Sequence, residues 1–269
     1  MPFTERHPSM RDGLRVLLGH GVDVATVLDV GVLTGTPPLI QTFREQPHHL
    51  FEPVPAHVPN IQKNYANLAF TLHKVAVSDR DGEAYLACTS LHNNGNVTHA
   101  QVEDAPVDAA DRPGLVSCEP IRRARLDTLL KEHRPEPPYI LKVDVDGHEL
   151  AVLDGAEETL AATSIVVIEA PLTRTALPQF FERAQYLMAR GFDLVDIVDV
   201  AYYNGVLWQA DLIFVPRAIV NAIPALRPFE GPDFQFQASA WYPYTDRTGP
   251  EKVDMSLTGR IKRRLRRGL

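Results

Sequence analysis

The stretch Leu141-Lys142-Val143-Asp144-Val145-Asp146-Gly147-His148-Glu149-Leu150, continuing to Asp154, sets four acids and one histidine where an apolar run ends. Carboxylates crowded together repel one another and shift each other's protonation, so a purely structural turn has little reason to gather them. The chemistry they suit is removal of a proton from a bound group, by an imidazole that titrates near neutral pH or by a carboxylate. His148 follows Asp144 by four residues, which places both near one crevice, and a further carboxylate, Glu169, closes the apolar run Ile165 to Glu169. Two assignments stand side by side. His148 acts as general base while Asp144 orients it or holds the substrate, or else Asp144 and Glu169 bind Mg²⁺, a cation that favours oxygen ligands and acidifies a bound hydroxyl. The plainer alternatives are a hydrogen-bonded turn histidine, a capping aspartate and a strand-end glutamate open to solvent.

A second constellation lies upstream. Val27-Leu28-Asp29-Val30-Gly31-Val32-Leu33-Thr34-Gly35-Thr36 reads as a buried strand, a glycine turn and the N-cap of a helix that starts with Pro37. Glycine at such a turn lets the backbone approach a ligand closely. Glu52 ends the next apolar run, 21 residues beyond Gly31, where an acidic residue accepts hydrogen bonds from ribose hydroxyls in nucleotide-binding α/β folds. The loop lacks the three-glycine spacing that seats a pyrophosphate, which argues against a dinucleotide. Asp29, Gly31, Gly35 and Glu52 are therefore candidate contacts to an adenosine-containing cofactor.

The elements that must hold these residues alternate. Apolar runs at Thr26–Val30, His49–Glu52, Leu72–Val77, Tyr139–Asp144, Ile165–Glu169, Leu194–Val198 and Ala210–Val215 predict strands buried on both faces. Helical patterns at Pro37–Arg44, Pro59–Leu68, Leu126–Lys131, Glu149–Leu160 and Leu177–Arg190 fill most of the gaps. Alternation of this kind specifies an α/β fold with a doubly wound, mostly parallel sheet, and Asn204-Gly205 between the last two runs signals a hairpin with one antiparallel strand. The polar stretch Ala87–Glu119 has no clear period and reads as a long loop, with His92, Asn93, Asn94 and Asn96 as candidates for lining a substrate site.

The acidic turn resembles that of the FkbM-type methyltransferases, whose corresponding segment reads K-I-D-V-E-G-H-E or a close variant. Phe51-Glu52-Pro53 with Asn64, Val75-Ala76-Val77-Ser78-Asp79, Arg125-Leu126-Asp127, Ile168-Glu169 and Gln209-Ala210-Asp211-Leu212 follow in the order that family shows. Two departures stand out: Val32-Leu33-Thr34 is bulkier than the small residues usual in that loop, and Asp146 replaces the commoner Glu. The resemblance implies a Rossmann-like class I methyltransferase fold with seven strands and S-adenosyl-L-methionine as methyl donor, Val77 and Ser78 joining the cofactor contacts. It also implies a hydroxyl of a sugar, glycan or natural product as acceptor, and some sugar O-methyltransferases similar to the family depend on Mg²⁺, which bears on the two assignments left open above, His148 and Asp144 as catalytic residues or Asp144 and Glu169 as Mg²⁺ ligands. The alternatives are a non-sugar acceptor, through N-methylation or RNA, and a cofactor-binding protein without activity.

Composition bounds these expectations. A chain of 269 residues, 45% hydrophobic, can bury one sizeable core, and a net charge of −7 disfavours a surface built to grip nucleic acid. The two cysteines, Cys88 and Cys118, lack metal-ligand spacing and fit a reducing cytoplasm, and no apolar run is long enough to span a bilayer. Residues 1–25 are expected as a helical extension, 26–216 as the methyltransferase domain, and 217–269 as a Pro- and aromatic-rich extension ending in six Lys or Arg residues between Gly259 and Leu269. Ile261, Leu265 and Leu269 share a helical face there, so the tail is either solvated or a peripheral membrane contact. Tyr202, Tyr203, Trp208, Trp241, Tyr242 and Tyr244 offer faces for sugar stacking, for core packing or for contact with a second copy of the chain.

Overall fold

A computed structural model describes residues 7–90, 97, 99–227 and 229. The expectations for His92, Asn93, Asn94, Asn96, Trp241, Tyr242, Tyr244 and the basic tail fall outside the described residues. In chain order the elements are α1 (Met10–Gly19), β1 (Thr26–Val30), α2 (Pro37–Thr42), β2 (His48–Phe51), α3 (Val58–Asn64), β3 (Phe70–His73), β4 (Ala76–Val77), β5 (Gly82–Thr89), β6 (His99–Glu103), β7 (Leu115–Ala124) and α4 (Leu126–His133). There follow β8 (Tyr139–Val143), α5 (Glu149–Asp154), α6 (Glu157–Ala161), β9 (Thr163–Pro171), α7 (Leu177–Ala189), β10 (Phe192–Tyr203), β11 (Val206–Pro216) and α8 (Arg217–Ala222).

Seven strands form one sheet in the order β10-β11-β9-β8-β1-β2-β3, parallel except that β11 runs against both its neighbours. Strand side chains alternate between faces, and here both faces are buried. Leu28, Val30, Leu141, Val143, Val166 and Ile168 pack with Leu129, Leu153 and Leu187 of the helices on one side. Val27, Ile140, Ile165 and Val167 pack with Leu14, Leu17 and Leu39 on the other. Chain order reverses between β1 and β8, and the crevice beyond their C-terminal ends is where open α/β sheets bind ligands. The β10–β11 hairpin turns through Asn204 (φ 49°) and Gly205 (φ 77°), the two left-handed positions of the turn that Asn-Gly favours.

Three expectations are corrected. Leu72–Val77 is not one strand: β3 ends at His73 in the large sheet, and β4 belongs to a second sheet ordered β4-β7-β5-β6. Nor is Ala87–Glu119 a long loop, because β5, β6 and β7 are antiparallel strands within and around it. The solvent-facing side of this small sheet is polar and β7 carries Pro120, so the alternation that marks a strand is blurred. The helix expected over Glu149–Leu160 breaks into α5 and α6 at Gly155, where a Cβ would lie 1.9 Å from the Ser78 carbonyl oxygen. Gly155→Ala is accordingly expected to cost about 1–3 kcal/mol through forced displacement of that backbone, read as a lower urea midpoint at unchanged slope.

A pH-sensitive cluster sits behind β2 and β3. His49 Nδ1 lies 3.1 Å from His73 Nε2, and the His73 and His133 rings are 4.5 Å apart. Burial, then repulsion from His133, depresses both His49 and His73, the latter from 6.5 to about 4. The unfolded chain therefore takes up protons that the folded one refuses. Stability from these groups is complete above pH 6.5 and falls as pH drops through about 4. Urea unfolding at pH 7.5 and 5 should show this loss, and His73→Gln should shrink it. Among the described residues no helix is long and apolar enough to cross a membrane.

Candidate active site

The glycine turn forms where β1 and β8 converge. Gly31 (φ 83°) donates its N–H to Phe51, and Asp144 N–H bonds to Val30. A Cβ on Gly31 would lie 1.8 Å from the Asp144 carbonyl oxygen, so glycine is required by this close approach as well as by φ. Leu33, also left-handed (φ 54°), donates its N–H to Glu52 Oε2 at 2.8 Å, while Glu52 Oε1 accepts from Val54 N–H at 2.9 Å. Glu52 is thus a brace for the turn, only 4% exposed; its Oε2 retains a lone pair for a ligand hydroxyl, while His57 Nδ1 lies 3.3 Å from Oε1. Of the bulky loop residues, Val32 is buried with Leu50, Ile61 and Tyr65, and Leu33 sits at the cavity mouth. Gly35 (φ 142°) packs beside Tyr65 and Asn64.

A cavity of about 800 Å³, counting its open mouth, runs from this turn across the ends of β2 and β3. Gly31, Glu52, Val77, Asp144 and His148 line it, with Val54, Leu86 and Val102 making an apolar slot. The second sheet, unread in the sequence, supplies that slot's outer wall. Asp146 (φ 49°) and Gly147 (φ 94°) turn the chain sharply after β8, and Asp146 Oδ2 accepts from Ala100 N–H at 3.2 Å, tying β6 over the cavity. Ser78 is wholly buried, and its hydroxyl bonds Asp79 and His148 at 2.9 Å each.

Beneath the turn, Asp29 is fully buried and does not line the cavity. One of its oxygens accepts from Tyr65 OH at 3.3 Å; the other has no hydrogen-bond partner and faces Lys142 Nζ at 3.7 Å. Lys142 reaches Asp144 Oδ2 at 3.0 Å. Burial opposes the charge of Lys142, but Asp144 and Asp29 outweigh it and raise its pKa. Along the same face Glu169 is bonded by the Gln209 amide and lies within hydrogen-bonding reach of Asp144. Burial, then Asp144, pushes Glu169 up to about 8, and burial pushes Asp211 up to about 7.

Nothing in this donor set supports the Mg²⁺ expected at Asp144 and Glu169. Among the described residues no three His, Cys, Asp or Glu side chains converge to hold a metal, and a buried ammonium occupies one oxygen of Asp144. Lys142, Gln209 and Asp211 were not among the residues expected at the site. The signal for Lys142 was a cation inside an apolar strand buried on both faces; Gln209 and Asp211 become neighbours of Glu169 only through the β9–β11 register.

No curated protein matches the chain. Among solved structures it is similar to the fibrillarin pre-rRNA processing protein of Methanococcus jannaschii, at 13% identity over 72% of this chain and 67% of that one (TM-score 0.42). It is also similar to an O-methyltransferase from Bacillus cereus in complex with SAH, at 11% identity over 80% and 84% (TM-score 0.43). A third is precorrin-6y C5,15-methyltransferase from Geobacter metallireducens, at 11% identity over 75% and 86% (TM-score 0.38). The family profile of the methyltransferase FkbM domain matches residues 29–194, more than half of the chain and both constellations of candidate site residues. With its class I Rossmann-like sheet, the chain belongs to the FkbM family of S-adenosylmethionine-dependent methyltransferases.

Proposed function

We propose that the protein transfers the methyl group of S-adenosylmethionine to a hydroxyl of a sugar, glycan or natural product. The observation that carries this reading is the oxygen- and amide-lined face beside the cavity, where Asp144 is held by Lys142 and flanked by Glu169 and Gln209. Such groups orient hydroxyls through hydrogen bonds, and Asp144 both borders the cavity and can accept a proton. The cofactor's purine suits the apolar slot, its ribose the lone pair of Glu52 Oε2, and its methionine end the Gly31 turn above Asp29. Val77 borders the purine slot and Gly35 shapes the turn. When bound, S-adenosylmethionine would supply its methyl group to the acceptor oxygen and leave as S-adenosylhomocysteine, and Asp144 would take the hydroxyl proton.

The test is transfer of labelled methyl from S-adenosylmethionine to a panel of monosaccharides, glycosides and polyhydroxylated natural products. Labelling of an amine or of RNA in place of every hydroxyl would overturn the reading. Cofactor binding is checked separately by calorimetry with S-adenosylhomocysteine. Glu52→Ala is expected to weaken it about tenfold to a hundredfold, because a hydrogen bond to a charged acceptor is lost. NAD should give no heat, and Mg²⁺ should leave the isotherm unchanged.

A further inference from the structure

His148 has an assignable proton. Its Nε2 lies 2.9 Å from Ser78 Oγ, which lies 2.9 Å from Asp79 Oδ1. A hydroxyl carries one proton, and an ionised carboxylate can only accept. Asp79, paired with Arg80 at 3.4 Å, takes the Ser78 proton, so the lone pair of Ser78 Oγ must take a proton from His148. The ring is then the Nε2–H tautomer, with its remaining lone pair on Nδ1. Burial holds the pKa of His148 below its ordinary value; Asp79 and Glu149 act against this, and Arg123 and Arg80 act with it. Among the described residues the hydrogen bond of the His148 ring goes to Ser78, not to the carboxylates beside Lys142.

Its bond to Ser78 sets the ring next to Val77, a member of the cavity's apolar slot. Val77 adjoins Ser78 in sequence and lines the slot with Val54, Leu86 and Val102, and His148 lines the same cavity. Glu52 bonds Leu33 of the turn and Val54 of the slot, so a nucleoside with its ribose at Glu52 and its sulfur end at the turn would direct its base toward the slot and His148. We infer that His148 reads the adenine of the cofactor, its Nδ1 accepting a hydrogen bond from the 6-amino group, with Ser78 and Asp79 as the positioning residues that fix the tautomer. This rests on the reading that the cavity takes S-adenosylmethionine. Of the two adenine-edge groups at that position in purines, an amino group donates and a carbonyl does not, so a fixed lone pair selects the former. A site built around one such hydrogen bond rejects the analogue that leaves it unmade.

The experiment titrates the full chain by calorimetry with S-adenosylhomocysteine and with S-inosylhomocysteine, whose carbonyl opposes Nδ1 lone pair to lone pair. The wild type is expected to favour the adenosine compound by about tenfold or more. His148→Phe and Ser78→Ala should reduce that ratio to near one, His148→Gln should restore part of it through its amide oxygen, and Glu52→Ala should weaken both ligands while leaving the ratio intact. Circular dichroism establishes that each variant is folded, and a long-range ¹H–¹⁵N spectrum of the wild type should show His148 protonated on Nε2. Equal binding of both compounds by the wild type, or a ratio unchanged in His148→Phe, overturns the assignment. No binding of either compound would instead sink the cofactor reading beneath it. A His148→Phe variant that keeps the ratio but loses methyl transfer returns the histidine to the role of base.

Discussion

Asp144→Asn is expected to abolish most methyl transfer while leaving S-adenosylhomocysteine binding within a few-fold of wild type. The carboxylate borders the cavity, is held at 3.0 Å by the buried Lys142, and lies beside Glu169. Asparagine keeps the shape and one acceptor oxygen but cannot take the proton that leaves the acceptor hydroxyl. Loss of a positioned proton acceptor lowers turnover by about a hundredfold to ten-thousandfold. The variant also leaves Lys142 with Asp29 as its nearest carboxylate, so the ammonium should stay charged and the fold intact. Single-turnover transfer measured with saturating S-adenosylmethionine separates this loss from weakened binding, and an Asp144→Asn enzyme with undiminished turnover would remove the carboxylate from the chemistry.

The parts of this site that could be read in the sequence are those defined by a residue type at a short spacing. The strand, glycine turn and following helix lie within ten residues of Val27, and Asp144 and His148 within a single turn. The strands of the large sheet are legible for the same local reason: buried on both faces, they are nearly unbroken apolar runs, as in β1, β8 and β9. What could not be read depends on register. Asp29 meets Lys142 because β1 and β8 pair those two positions, and Glu169 meets Asp211 because β9 and β11 do. Ser78 reaches His148 across 70 residues of chain. The second sheet escaped because its strands cover only one face and carry polar residues on the other, so the wall over the apolar slot looked like loop.

The turn that carries Asp146, Gly147 and His148 hangs from a buried ion pair, and breaking it should be the largest blow to stability that a single side chain can deliver near the site. Arg183 of α7 is 3% exposed and bonds through Nε and Nη2 to one carboxylate oxygen of Glu149, itself 1% exposed. The other oxygen of Glu149 accepts the Gly147 N–H at 3.1 Å, so the pair links α7 to the sharp turn after β8. Removing one partner strands a charge away from water, at a cost of about 3–5 kcal/mol. Arg183→Met should therefore lower Tm by roughly 6–20 °C for a domain of this size. Glu149→Leu should cost at least as much, since it also leaves the Gly147 N–H without its acceptor. The Arg183→Met, Glu149→Leu double variant should regain a large part of the loss, because a well-packed apolar pair escapes the desolvation that two buried ions suffer. The remaining deficit then measures what the carboxylate contributes by fixing the turn. If that turn positions His148 at the purine slot, the double variant, though restored in Tm, should still bind S-adenosylhomocysteine more weakly than wild type.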